Sequence, residues 1–346
     1  MDIRSALAQL CVQSGPSGFE KPAIQAARAL LEPLMDEVFT DRMGNLVGVH
    51  RCGKPGAKRL LLDAHLDEIG LIVTGIEDGF LRFCTIGGVD PRMLPDREVT
   101  VLTDPPRLGV VTTPPPHVLK GEESKRSTPI SELYVDIGMG QEEAERMVPV
   151  GTHMVFRGGC FPLGEREICG KAMDDRSCFV ILLRTAELLR ERELDVDLYI
   201  MGSTREEISG SGAQCATFGL EPDFCVAVDV THGRTPDGPR EKSFEVGGGP
   251  VVGVGPNMTR WMTERAVRIA GEQKIPCQLE VMSGHSGTNG WFMQICREGI
   301  PTLVVSLPLK YMHSPIEVLD EEDVEQAAQL LAAFSENLGK EAEHPC

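Results

Sequence analysis

Residues 196–230, VDLYIMGSTREEISGSGAQCATFGLEPDFCVAVDV, decide how this chain is read. An apolar run with strand character, 196–203, leads into the carboxylate pair Glu206-Glu207 and a glycine-rich turn. Helical spacing follows over 211–218, and a second apolar run, 224–230, carries Asp229. Strand, polar end, helix and strand form the repeating unit of an α/β sheet, whose ligands gather at the carboxyl ends of its strands. Working outward, the same alternation predicts a helix over 176–192 before this stretch. After it come a helix over 259–272, a strand over 278–282, a helix over 291–297, a strand over 302–307 and a helix over 321–338. Two opening helices are predicted between Ser5 and Leu34, separated by SGPSGFE at 14–20, whose glycines and proline break helical continuity. Residues 45–50 and 59–64 read as strands around the turn Gly53-Lys-Pro-Gly56.

The stretch 71–166 has another character. Short β-like runs, such as 71–76 and 98–102, alternate with Gly87-Gly88, Asp104-Pro-Pro106 and Pro114-Pro-Pro116, and little helical periodicity is left. An inserted β-rich domain is the expectation. A chain of 346 residues with 41% hydrophobic content has room for two such bodies.

A net charge of -18 argues against nucleic acid and anionic membrane surfaces as partners, since phosphate binding needs clustered Lys and Arg. The largest basic run, Lys120 to Arg126, is itself interrupted by Glu122 and Glu123. Eleven cysteines, odd in number, scattered and without a C-x-x-C pair, fit neither a disulfide framework nor a zinc ribbon. A reducing, cytoplasmic setting is expected, because the start MDIRS lacks a signal-peptide pattern and no apolar run is long enough to span a bilayer.

Five polar places follow apolar runs. In His65-Leu-Asp67 the two polar side chains share one face of an extended segment, so one can bind a metal while the other orients it. In Lys171-Ala-Met-Asp174-Asp175 two adjacent carboxylates exceed what helix capping needs, and one could bridge two cations while the other shapes the turn. Glu206-Glu207 would repel each other at a strand end unless cations or a shared proton compensate. One Glu binding metal and the other taking a proton from a metal-bound water makes sense of the pair. Asp229 would be costly to bury unpaired, whereas the nearby His232 reads as a loop histidine. His313 follows the strand at 302–307. Two histidines and three carboxylates form a mixed N/O set suited to Zn²⁺, Co²⁺ or Mn²⁺, too nitrogen-rich for calcium and too many for one tetrahedral zinc. Two ions about 3.5 to 4 Å apart would use them all.

The order His-x-Asp, Asp-Asp-Arg, Glu-Glu, Asp, His resembles the cytosolic family of glutamyl, deblocking and tetrahedral (TET) aminopeptidases, some of whose members carry the label endoglucanase M. The likeness covers nearly the whole chain: SGPSGFE at 14–20, Asp41-Arg-Met-Gly44-Asn45, His65-Leu-Asp-Glu-Ile-Gly70, Glu132-Leu-Tyr-Val-Asp-Ile-Gly138, KAMDDR at 171–176, Glu206-Glu207, Val228-Asp229-Val-Thr, Gly247-Gly-Gly-Pro250 and Tyr311-Met-His313-Ser-Pro315. The resemblance implies a zinc-peptidase-like three-layer α/β catalytic domain, 1–70 plus 167–346, with a small β-rich, PDZ-like or barrel, dimerisation domain inserted at 71–166. It implies two divalent ions per subunit held by His65, Asp174, Glu207, Asp229 and His313, with Asp174 bridging, Glu206 as general base and Asp67 as supporting carboxylate. It further implies peptide substrates, trimmed at the N-terminus by a water bridging the ions, and dimers that commonly assemble into hollow dodecamers. Two positions depart from the pattern: Arg205, where members often carry Gln, and Asn289, where many have Asp. The alternatives are a dinuclear N-deacylase or carboxypeptidase, a metal-independent glycan hydrolase, and a non-catalytic metal-binding scaffold.

Overall fold

The computed structural model describes residues 1–118 and 127–338. The basic run 120–126 and Cys346 lie outside the described residues. Two helices open the chain, α1 (Ile3–Cys11), capped by the Asp2 side chain, and α2 (Lys21–Leu31). Strands β1 (Glu37–Thr40), β2 (Leu46–His50) and β3 (Lys58–His65) follow. The chain then makes β4 (Gly70–Glu77), β5 (Phe80–Ile86), β6 (Glu98–Val101), β7 (Arg107–Thr112), β8 (Tyr134–Asp136), helix α3 (Gln141–Met147) and β9 (His153–Phe156). After the hairpin β10 (Cys160–Leu163) and β11 (Glu167–Gly170) come α4 (Met173–Leu189), β12 (Val196–Ser203), α5 (Ser211–Leu220) and β13 (Phe224–His232). The last part holds β14 (Val251–Val254), α6 (Arg260–Gln273), β15 (Gln278–Val281), α7 (Gly290–Met293), β16 (Thr302–Leu309), β17 (Glu317–Asp320) and α8 (Glu321–Leu338).

Eight strands form one sheet in the order β1-β2-β12-β3-β13-β16-β14-β15, and its four central strands, β12, β3, β13 and β16, run parallel. Parallel strands are covered on both faces, which is why LLL at 60–62 is apolar without alternation and fully buried. Leu60, Leu62 and Ala64 meet α1, α4 and α8 in one core, while Leu61 meets α5 and α7 residues such as Ala213 and Met293 in a second core across the sheet. Each such buried aliphatic side chain contributes about 1.5–3 kcal/mol. The result is three layers, helix on sheet on helix.

Strands β4 to β9 close into a six-stranded barrel, in the order β4-β5-β8-β7-β6-β9, around its own core of Leu71, Val73, Leu81, Val99, Val135 and Met154 among others. Closure removes the exposed edges that a short-stranded open sheet would offer. The barrel strands end at Phe156, and β10 and β11 belong instead to a small sheet with β17. The helix expected over 291–297 is cut to Gly290–Met293, because Arg297 (φ 54°) and Gly299 (φ 95°) take left-handed backbone that ends helical winding. Among the described residues every cysteine is free, and no helix is long and apolar enough to cross a membrane.

Candidate metal centre

Four adjacent parallel strands bring their carboxyl ends together, and the chemistry sits there. β3 ends on His65, which stands opposite Ser203, the last residue of β12. The chain leaving β12 carries Glu206 and Glu207 and then turns tightly into α5. A Cβ at Gly212 would lie 2.1 Å from the Thr204 carbonyl oxygen, so only glycine admits that turn. Asp229 lies within β13 opposite Ser306 of β16, and His313 follows β16. Asp174 enters from another direction, at the start of α4, joined to Asp175 by a cis peptide.

Asp174 stands between the two imidazoles. Its Oδ1 is 3.1 Å from His65 Nε2 and its Oδ2 is 3.3 Å from His313 Nε2. Glu207 Oε2 is 3.4 Å from His313 Nε2, and Glu206 Oε2 is 4.0 Å from His65 Nε2. Two groups of donor atoms each fall within 4.8 Å of one another: His65, Asp174 and Glu207, and His65, Asp175 and Asp229. The fold thus gathers His65, Asp174, Glu206, Glu207, Asp229 and His313, and it adds Asp175. His232, by contrast, is exposed at the end of β13.

Asp67 is fully buried beneath this cluster. Its carboxylate accepts the main-chain N–H of Glu206 (3.0 Å) and of Glu207 (3.2 Å) and the Ser17 hydroxyl (2.6 Å), so it fixes both glutamates by their backbone. The His65 Nδ1 lies 3.0 Å from the Asp67 carbonyl oxygen and 3.5 Å from its carboxylate, and the closer, main-chain oxygen is the better acceptor. Glu317, to which the sequence reading gave no role, accepts the N–H groups of Met173, Asp174 and His313, tying two arms of the site together. The signal was a carboxylate four residues after His313. On the opposite flank Glu68 accepts from Lys171, Arg176 and the Gly15 N–H in a buried ion cluster that locks the N-terminal loop to α4.

Burial raises the Glu206 carboxyl to about 7, and neighbouring Asp67 and Asp174 add to the rise. Burial, reinforced by Asp174, pushes Glu207 well above the ordinary carboxylate range, and burial does the same to Asp229 and, with Asp229 beside it, to Asp175. Asp174 goes the other way: burial works against its charged form, but hydrogen bonds to His313 and His65 outweigh it and hold its carboxyl low. Burial would lower His65, but Asp174 and Asp67 hold its imidazole well above the ordinary value. Carboxylates outnumber imidazoles in this largely buried cluster, and Asp175 Oδ1 is buried with no hydrogen-bond partner. Divalent cations would offset this excess charge, and a mixed N/O donor set fits Zn²⁺, Co²⁺ or Mn²⁺.

Asn289 is buried, and its amide donates to Asp63 Oδ2 (2.8 Å) and Ser203 Oγ (2.9 Å). Burial raises the Asp63 carboxyl to about 7. The carboxyl group beside Asn289 is therefore that of Asp63, on β3. Arg205, just before Glu206, takes left-handed backbone with φ 61°.

A family model described as M42 glutamyl aminopeptidase matches residues 44–330. A lysyl aminopeptidase from Pyrococcus furiosus is 36% identical over 331 residues, covering 94% of each chain. Among solved structures, an aminopeptidase from the archaeon Desulfurococcus kamchatkensis superposes with a TM-score of 0.91 at 32% identity, over 99% of this chain and 98% of that one. The TET1 peptidase of Pyrococcus horikoshii, described as able to assemble into a tetrahedron or a large octahedral shell, gives a TM-score of 0.85 at 29% identity, over 96% and 99%.

Proposed function

Because the chain belongs to the M42 glutamyl aminopeptidase family, a family of peptide hydrolases, we propose that it removes N-terminal residues from peptides with two divalent ions held by His65, Asp174, Glu207, Asp229 and His313. The observation that carries this reading is the Asp174 carboxylate, which offers one oxygen to each imidazole while glutamates stand at 3.4 and 4.0 Å from the same ring nitrogens. Bound there, the ions would supply Lewis acidity, polarising the scissile carbonyl and acidifying the attacking water.

Glu206 is the base. Its side chain, 14% exposed and with Oε2 4.0 Å from His65 Nε2, takes the proton of the attacking water and returns it to the leaving amine. A carboxyl group raised by burial is suited to both steps, since it holds a proton near neutral pH and releases it readily. Asp67 keeps Glu206 and Glu207 at fixed separation through their N–H groups, and Glu317 holds Asp174 and His313 by theirs.

Residues 1–70 with 167–346 form the catalytic part and 71–166 serve self-association, into dimers and tetrahedral dodecamers; TET1 structures described as a dodecamer and as able to assemble into a tetrahedron support self-association. The free cysteines favour a cytoplasmic setting. The test is hydrolysis of free and N-acetylated aminoacyl substrates by metal-stripped protein, before and after Zn²⁺, Co²⁺ or Mn²⁺ is added back. Activity restored on free amino termini alone is expected. Restoration on blocked substrates alone would assign an N-deacylase, and turnover that survives stripping would remove the metals from the mechanism.

A further inference from the structure

A metal-binding imidazole almost always has its second nitrogen held by an acceptor, which sets the ring's orientation toward the ion. His65 finds that acceptor two residues away, at the Asp67 carbonyl of its own strand end. His313 finds it on the barrel: its Nδ1–H donates to the Gly88 carbonyl oxygen at 3.0 Å, across 225 residues of sequence. Gly88 lies two residues beyond the end of β5.

The barrel loop is shaped for this approach. A Cβ at Gly88 would lie 2.6 Å from His313 Nδ1 and 2.9 Å from Cε1. At Gly87, with φ +74°, a Cβ would meet Glu207 Oε2 at 3.0 Å and Ile69 Cγ2 at 2.8 Å. Two successive barrel residues therefore press on two side chains whose own donor atoms are 3.4 Å apart. The catalytic layer holds His313 by its main chain, through Glu317, while its ring stays 36% exposed.

We propose that the Gly87-Gly88 loop of the barrel is a positioning element of the metal centre: it orients His313 and confines Glu207, so retention of the ion that His313 holds depends on the seating of the barrel. The inference rests on reading His313 and Glu207 as ligands. It also gives the insert a part in assembling the site.

Gly88→Ala is the test, because the backbone at Gly88 is not left-handed and the added methyl group meets only the His313 ring. Metal-loaded parent and variant are equilibrated over graded free Zn²⁺ and Co²⁺, and metal content, the Co²⁺ absorption band, kcat and KM are read. One of the two ions should bind about ten- to a hundredfold more weakly in the variant, with a changed Co²⁺ band and a fall in kcat at low metal that excess metal restores. Gly159→Ala, where a Cβ meets nothing within 4 Å, should change none of these. Unchanged affinity for both ions in Gly88→Ala overturns the proposal. If that variant folds poorly, the metal-free His313→Ala background decides. With the ring gone, Gly88→Ala should cost no further thermal stability, and an equal loss in both backgrounds overturns the proposal. Failure of the ligand reading looks different, since His313→Ala would then retain both ions.

Discussion

His65 and His313 address the same carboxylate, Asp174, yet they are held in opposite ways. His65 closes a buried parallel strand, is 2% exposed, and takes its orienting acceptor from its own segment. His313 sits in a loop after β16 with φ 60°, is 36% exposed, and depends on Glu317 for its main chain and on the barrel for its ring. One half of the centre is built into the sheet, and the other is assembled where three segments meet. The difference teaches that the two imidazoles facing one carboxylate can be held unequally, and on the proposed two-ion reading this gives a permanent half and a conditional half.

The largest effect is expected on the permanent half. Under the proposed roles, Glu206→Gln should cut kcat by about 10²- to 10⁴-fold with metal content nearly unchanged, because it removes the base and spares the ligands. Steady-state kinetics with metal analysis checks this, and full activity would reassign the base. The comparison itself would break under graded chelation: the ion at His313 should leave first, at about tenfold higher free metal than the ion at His65, and simultaneous loss of both would show the halves to be equivalent. Glu317→Gln should weaken metal binding about tenfold as well, by loosening the N–H anchors of Asp174 and His313. An effect confined to one ion would show which arm it chiefly supports.

A smaller effect concerns pH. Burial raises the folded-state pKa of Glu206 from 4.5 to about 7 and that of Asp63 from 3.8 to about 7. In that interval the folded chain binds more protons than the unfolded one, so these groups favour folding below their ordinary pKa values and the benefit is lost as pH rises through about 7. Urea midpoints of metal-free protein should therefore decline from about pH 5 to about pH 8, and added Zn²⁺ should flatten the decline. Asp63→Asn, outside the ligand set, should remove only part of it. A midpoint that rises over this range would contradict the assignment.

Much of this was legible in the sequence. The strand at 196–203 and the helix at 321–338 were read with the boundaries that the structure has, because long apolar periods leave little choice of register. The residues brought to the strand ends were legible too, since buried carboxylates after apolar runs need a reason to be there. Other parts were not. The orienting acceptors of both imidazoles are main-chain oxygens, of Asp67 and Gly88, and no residue type advertises a carbonyl. Glu317 acts through backbone N–H groups, which a search for side-chain partners passes over. The contact between Asn289 and Asp63 required knowing that β3 and the start of α7 touch.

The barrel leaves and re-enters the molecule at one place, because β4 and β9 pair with Leu71 opposite Met154, so the two cut points lie about 5 Å apart in an antiparallel pair. Such an insert can be excised and its stumps rejoined by a short linker without stretching the chain. What would remain is a sheet with its helices and with His65 still in place. In that remnant His313 would lose the Gly88 carbonyl that the insert brings to its ring.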